Sequence, residues 1–357
     1  MQINNLSKKL PVVASAPAAA PDIKKTFKPT ANAARSLPPS SAGSSFTPAA
    51  PSRPLVALSS PQAASASSKK SSKMTTVYQD QFCKIVTDDS KMTKAQGQAL
   101  AKKVEDAWQA DLKLEQWKNT APLNKNQLTV EALTKSGFDK ALGGDSTGVA
   151  GVTMGPDLMA VPENLTSSTN PDDDDTIAHE LNHVMDFREA GNGIDSIPVY
   201  EQEGKAYTVG DTYPITEGKD KSDPVLRGVG EELSKITGAQ AADVMKNYRD
   251  GSAESDPSRD GFRDETTGAL YVQYLQTRLG GKGVPDAVQR LAQVTADVGT
   301  GQSYDSAFQK EFGVSSKSTE DAFVKYVTAT EGKPSERMSG TLWAPYMDLS
   351  SSAKAVS

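Results

Sequence analysis

Histidine occurs twice in 357 residues and cysteine once. A single cysteine, Cys83, excludes an intramolecular disulfide framework and any cysteine-based metal site. As a nucleophile it would need a histidine partner, and both histidines are engaged elsewhere, so Cys83 reads as a packed strand residue. No run of about 18 apolar residues occurs, which leaves no segment suited to cross a membrane as a helix. Lys8 and Lys9 followed by "LPVVASAPAAA" imitate a secretory signal. Two prolines and an alanine-heavy composition make a poor apolar segment, so no Sec signal is expected. Nor do the four aspartates Asp172 to Asp175 have the spacing or the glycine of an EF-type calcium loop.

Positive charge is scarce outside one region. Residues 1–76 hold ten Lys and Arg against one acid, Asp22, a net of +9. The remaining 77–357 hold 29 basic and 44 acidic residues, a net of −15. Phosphate binding needs clustered positive charge, so an acidic body argues against nucleic acid as the main partner. The leader is rich in Ser, Pro and Ala and has no apolar period of 2 or 3.6 residues, so it cannot bury enough surface to offset the entropy of ordering. Residues 1–76 are therefore expected to be disordered.

Order is expected from Val77. "VYQDQFCKIV" reads as one strand, and Leu100, Val104, Ala107, Trp108 and Leu112 form one helical stripe. "VEALTKSGFDKAL" suggests a second helix, and "GVAGVTMGPDLMAVP" two short β-rich runs around a Gly-Pro-Asp turn, a hairpin or a kinked edge strand. Beyond Gly191 almost every segment reads as helix. The expected class is α+β: a mixed N-terminal lobe and an all-helical C-terminal lobe, divided near residue 190. The folded domain is expected over 77–336, with 337–357 a C-terminal tail.

Both histidines lie in "PDDDDTIAHELNHVMDF", residues 171–187. Pro171 and the aspartates mark a helix start, where acidic side chains meet the positive helix end, and Gly191 and Gly193 mark its stop. Ile177, Leu181 and Val184 give the helix a core-facing stripe. His179 and His183, four apart, share a different face. Two imidazoles one turn apart can bind one Zn²⁺ through nitrogen at ~2.0–2.1 Å. Glu180 is directed to the side of the metal, from where it can take a proton from water.

A catalytic zinc site wants three protein ligands and an open position. With no further histidine, the third must be a carboxylate. Asp186 lies ~7–8 Å along the helix axis from the metal's level, too far to bind, and suits an imidazole-orienting role. In "VYEQEGKAYTVGD", Glu203 shares a helix face with Val199, Ala206, Tyr207 and Gly210. Glu201 falls on the other side, with Lys205 as its surface partner. Glu203 is the expected ligand; Glu265, in "RDETTGALYVQYL", is the alternative.

His179-Glu180-x-x-His183 with Glu203 twenty positions on resembles the thermolysin-like gluzincin clan of zinc metallopeptidases. "EGKAY" looks like that clan's ligand-bearing helix, and "YDSAFQKEFGVSSKSTEDAFVKYV" is similar to its helical endings. The likeness covers about 145–330, with specific motifs only at 175–187 and 199–211. One departure is Tyr207, four residues after Glu203, where thermolysin itself has an aspartate. The resemblance implies a zincin-like fold and zinc-dependent hydrolysis of peptide bonds in a protein substrate. Glu180 would be the general base, with an extended peptide laid along the edge strand "GVTMGPDLMAV". The oxyanion needs a second donor. Tyr207, Tyr213 and Tyr271 are candidates, and Tyr207 is the expected one.

The basic, Ser/Pro/Ala-rich leader looks like those of bacterial effectors exported by type III secretion, which suggests a secreted protein. The rivals are an intracellular protease with a flexible linker, and a zinc-binding interaction module without catalysis. Loss of Glu180 would mark the last, and Glu180 is present.

Overall fold

The computed structural model describes residues 74–124, 126–144, 146, 149–166, 171–216, 224–247, 261–279 and 284–347. The leader lies outside the described residues except for 74–76.

Where the sequence predicts one strand at "VYQDQFCKIV", the chain makes two, β1 (Thr75–Gln79) and β2 (Cys83–Thr87), paired antiparallel. Asp80 is the reason. Its Oδ1 accepts the backbone N–H groups of Phe82 and Cys83, both at 2.8 Å, which turns the chain back on itself. Cys83 is fully buried in β2, and burial pushes its thiol up to about 12.

Thr93 then caps α1 (Lys94–Glu115) in a reciprocal box with Gln96. The expected stripe is buried at Leu100, Val104, Ala107 and Trp108. The second predicted helix is only half helix. "LTVEAL" is strand β3 (Leu128–Leu133), and α2 (Lys135–Ala141) starts after the Thr134 cap. The tertiary pairing decides this: β3 is the middle strand, hydrogen-bonded on both edges, which overrides its local helical pattern. Of the two forms open to the runs around Pro156-Asp157, the chain makes the hairpin, from β4 (Val152–Gly155) and β5 (Leu158–Pro162).

These strands make one mixed sheet in the order β1-β2-β3-β5-β4. The inner pairs β2–β3 and β3–β5 are parallel, and the outer pairs are antiparallel. Alternation sends Val130, Ala132, Met159 and Val161 to one face, against α1 and α3 (Pro171–Ala190). Leu133, Val152 and Ala160 go to the other face, where Phe138 of α2 covers them. Ile177, Leu181 and Val184 of α3 are fully buried in the first of these cores. The helix stops as expected, with Gly191 at φ 53.

From there the chain is helical: α4 (Val199–Thr216), α5 (Pro224–Lys235), α6 (Gly238–Asn247), α7 (Gly261–Arg278), α8 (Val284–Gly299), α9 (Tyr304–Phe312), α10 (Ser316–Ala329) and α11 (Pro334–Met338). A second core is built among them around Leu226, Leu233, Val272, Leu291, Phe308 and Phe323. Helix α4 runs through its centre, with Tyr200 to Asp211 buried at every position. That is possible because α4 and α7 touch backbone to backbone. A Cβ on Gly204 would stand 2.2 Å from the Gly268 carbonyl carbon, and one on Gly268 would stand 2.2 Å from the Tyr200 oxygen.

The fold is thus mixed α/β with a helical C-terminal half. The domain does not end at 336. Arg337 is 1 % exposed and donates to the carbonyls of Ser234, Ile236 and Val327, while Met338, Trp343 and Tyr346 join the second core. The expected tail is packed structure as far as Met347; 348–357 lie outside the described residues. Among the described residues no helix is long and apolar enough to cross a membrane.

Candidate metal centre

Helices α3 and α4 pack side by side, and three side chains meet between them. His179 and His183 come from α3, on the face that meets α4, and Glu203 comes from α4. The two Nε2 atoms are 3.1 Å apart. Glu203 Oε2 lies 3.4 Å from Nε2 of His179 and 3.5 Å from Nε2 of His183. The donors form a nearly equilateral triangle.

All three are buried: His179 is 7 % exposed, His183 1 % and Glu203 2 %. Burial alone would push the Glu203 carboxyl up, but His183 and His179 outweigh it and hold the group down at about 2. Glu203 Oε2 has no hydrogen-bond donor among the described residues. Three electron-rich atoms directed at one point, one of them an orphaned buried carboxylate oxygen, make a set that a cation completes. The cluster can hold a metal ion. It is the one such group of His, Cys, Asp and Glu found among the described residues.

Glu180 sits beside the cluster, fully buried. Its Oε2 takes a 2.8 Å hydrogen bond from the Thr153 hydroxyl on β4. Oε1 has no partner among the described residues. Burial raises the Glu180 carboxyl to about 7, against the opposing pull of His179 and Thr153. Tyr207, one turn after Glu203 on α4, is 5 % exposed, and its ring stands edge-on to His179 at 6.3 Å.

Other candidates fall elsewhere. Glu265 is buried on α7 but its carboxylate is not among the converging atoms. Tyr271 packs into the helical core against Tyr200 and Phe323, at 5.3 Å from each. Tyr213 lies further along α4, buried against the sheet-side core.

Two expectations are overturned. Asp186 does not orient an imidazole: its Oδ1 accepts from Lys205 Nζ at 2.5 Å, and His183 Nδ1 has no partner among the described residues. Glu201 does not pair with Lys205 in solvent. Both are 2 % exposed; Glu201 accepts from the Tyr304 hydroxyl at 2.5 Å, and burial pushes its carboxyl up to about 8. Lys205 instead bridges Asp186 of α3 and Glu115 of α1, with Asn182 also donating to Glu115. The i,i+4 spacing of Glu201 and Lys205 fits a surface pair, but α4 has no surface face, so each finds a buried partner from another helix.

Sequence reasoning missed Thr153, Glu115 and the indole of Trp343, which donates to Asp211 at 2.7 Å and packs on Tyr207. Only Thr153 left a trace, as an alternating position in a recognised β-rich run. No protein-family model matches the chain, and no curated protein matches it either.

Proposed function

We propose that this chain is a zinc-dependent endopeptidase with a zincin-like fold of the thermolysin-like gluzincin type. The observation that carries the reading is the triangle of His179, His183 and Glu203 with Glu180 beside it. Four donors arranged tetrahedrally at ~2.0–2.1 Å from one zinc ion stand ~3.3–3.4 Å apart. The three edges here measure 3.1, 3.4 and 3.5 Å. A fourth position is left for water or substrate, as catalytic zinc requires.

His179, His183 and Glu203 would hold the ion. Bound there, zinc supplies Lewis acidity toward water and the scissile carbonyl. Glu180 ligates nothing and keeps one oxygen unbonded, so it takes the proton from the attacking water and returns it to the departing amine. Tyr207, beside His179, is the proposed hydrogen-bond donor to the oxyanion. Strand β4 stands at the end of the sheet order next to the site, where an extended peptide adds to its outer edge by main-chain hydrogen bonds.

The test is metal analysis of purified protein together with a broad peptide-library digest. One zinc per chain and cleavage are expected; Glu180→Gln keeps the zinc and loses several orders of magnitude in rate, on the order of 10³ or more. Zinc retained with no cleavage by the native chain would leave a metal-binding interaction module. Zinc retained after His179→Ala with His183→Ala would remove the site. The composition of the leader supports export as a bacterial effector by a type III system. Deleting residues 1–73 is expected to abolish export from a type III-competent host and leave peptidase activity unchanged. Normal export of the truncated chain would refute that.

A further inference from the structure

A carboxylate that shuttles a proton has to be held, because a misplacement of about 1 Å costs on the order of 100-fold in rate. A glutamate on a helix has three side-chain torsions and no inherent reason to stay put. No ion pair holds Glu180 among the described residues. What holds it comes from β4.

Thr153 Oγ1 lies 2.8 Å from Glu180 Oε2 and 2.8 Å from the Glu180 backbone oxygen, so its single proton is shared between two acceptors of the same residue. Two residues earlier, on the same side of the chain, Gly151 leaves room for the other oxygen. A Cβ there would meet Glu180 Cγ at 2.6 Å, Oε1 at 2.8 Å and Cδ at 3.0 Å. The register of this strand is not free to slip. Val152 and Met154 alternate to the opposite face, where they pack with Leu133, Phe138 and Ala160. A shift by one residue would turn an apolar side chain toward Glu180 and the threonine into the α2 core.

We propose that Thr153 and Gly151 are positioning residues for Glu180. Thr153 ties down Oε2, Gly151 keeps the space around Oε1 clear, and Oε1 is thereby the one oxygen left to exchange a proton. The inference rests on the zinc-peptidase reading. It adds that the strand offering its outer edge to a peptide also fixes the base with its inner face, so substrate and base share one rigid reference.

The experiment compares Thr153→Val, Thr153→Ser and Gly151→Ala with the native zinc-loaded chain in three measurements. These are zinc affinity by chelator competition, kcat and KM on a peptide selected from the library, and affinity for acetohydroxamic acid. A hydroxamic acid that chelates a metal must give its proton to a neighbouring base, so its binding reads the Glu180 carboxylate without turnover, and Glu180→Gln calibrates that loss. Thr153→Val is expected to keep zinc affinity within about 2-fold, to lower kcat about 10- to 100-fold with little change in KM, and to weaken the hydroxamate. Thr153→Ser restores both. Gly151→Ala, which displaces the carboxylate and not the backbone, lowers kcat about 10-fold or more with zinc retained. In the Glu180→Gln background Thr153→Val adds no further loss, since it acts through Glu180.

Native kcat and hydroxamate affinity in Thr153→Val, or in Gly151→Ala should the valine variant not fold, overturn the proposal. So does an equal additional loss in the Glu180→Gln background. A native chain that binds zinc but neither cleaves peptide nor binds the hydroxamate overturns the peptidase reading as well.

Discussion

Replacing Lys205 with methionine tests how far the buried ion network supports the two ligand-bearing helices. Lys205 is 2 % exposed, with its Nζ 2.9 Å from Glu115 Oε1 and 2.5 Å from Asp186 Oδ1, and 5.3 Å from the Trp117 ring. At an effective dielectric of ~20, each contact has a gross attraction of about 6 kcal/mol, much of it offset by the desolvation of three charges. Methionine matches the stem of lysine in length but removes the charge, leaving two buried carboxylates facing each other. Removing one partner of a buried pair costs about 3–5 kcal/mol. Proton uptake sets the ceiling: neutralising an ordinary carboxyl at pH 7 costs roughly 4 kcal/mol per group. The expected destabilisation is therefore about 3–5 kcal/mol, or roughly 10 °C in Tm for a domain of this size. The surface pair with Glu201 that the sequence suggests would contribute only ~0.3–0.5 kcal/mol. The two differ enough for denaturant unfolding of zinc-saturated protein to separate them.

The deficit should also depend on pH. Burial already pushes the Glu115 carboxyl up, and losing the opposing Lys205 charge raises it further, so the folded variant binds more protons than the unfolded chain and its stability falls as pH rises. The gap from the native chain should narrow between pH 7 and 5. Adding Glu115→Gln and Asp186→Asn should recover most of the loss at pH 7, because no unpaired charge remains. A Lys205→Met loss below about 1 kcal/mol, or one that grows toward pH 5, would refute the network as described.

Glu203→Ala is expected to strip or severely weaken zinc while Glu201→Ala keeps it. The latter still costs about 1–3 kcal/mol, since Tyr304 loses a buried acceptor, and chelator competition with thermal melts distinguishes the two. Zinc lost from Glu201→Ala alone would mean that α4 is rotated from its described orientation. The Cys83 thiol, fully buried and raised to about 12, should resist a thiol reagent in native buffer and react once per chain in denaturant. Rapid native labelling would count against the packing of β2. A fragment ending at 336 should lose cooperative unfolding where one ending at 347 keeps it, because Trp343 alone contributes about 3–5 kcal/mol. Equal melting of the two would show that the C-terminal packing is dispensable.

Local chemistry was enough to reveal the histidine helix: an apolar stripe at Ile177, Leu181 and Val184 and two histidines one turn apart both follow from a 3.6-residue period. The choice of Glu203 over Glu201 and Glu265 also came from a face of one helix, and the structure brings Glu203 to the histidines. Most helices after Gly191 were legible for the same reason.

What failed was whatever depended on partners distant in sequence. "LTVEAL" is a strand because β2 and β5 flank it, and no local pattern carries that. Lys205 and Glu201 look like a solvent pair because i,i+4 geometry is local, but the Gly204–Gly268 contact sinks α4 into the core and removes its solvent face. Asp186 then meets a lysine on another helix, and Thr153 meets Glu180 across 27 residues. Periodicity reports which face a side chain occupies. What lies opposite that face is decided only when the helices and the sheet pack together.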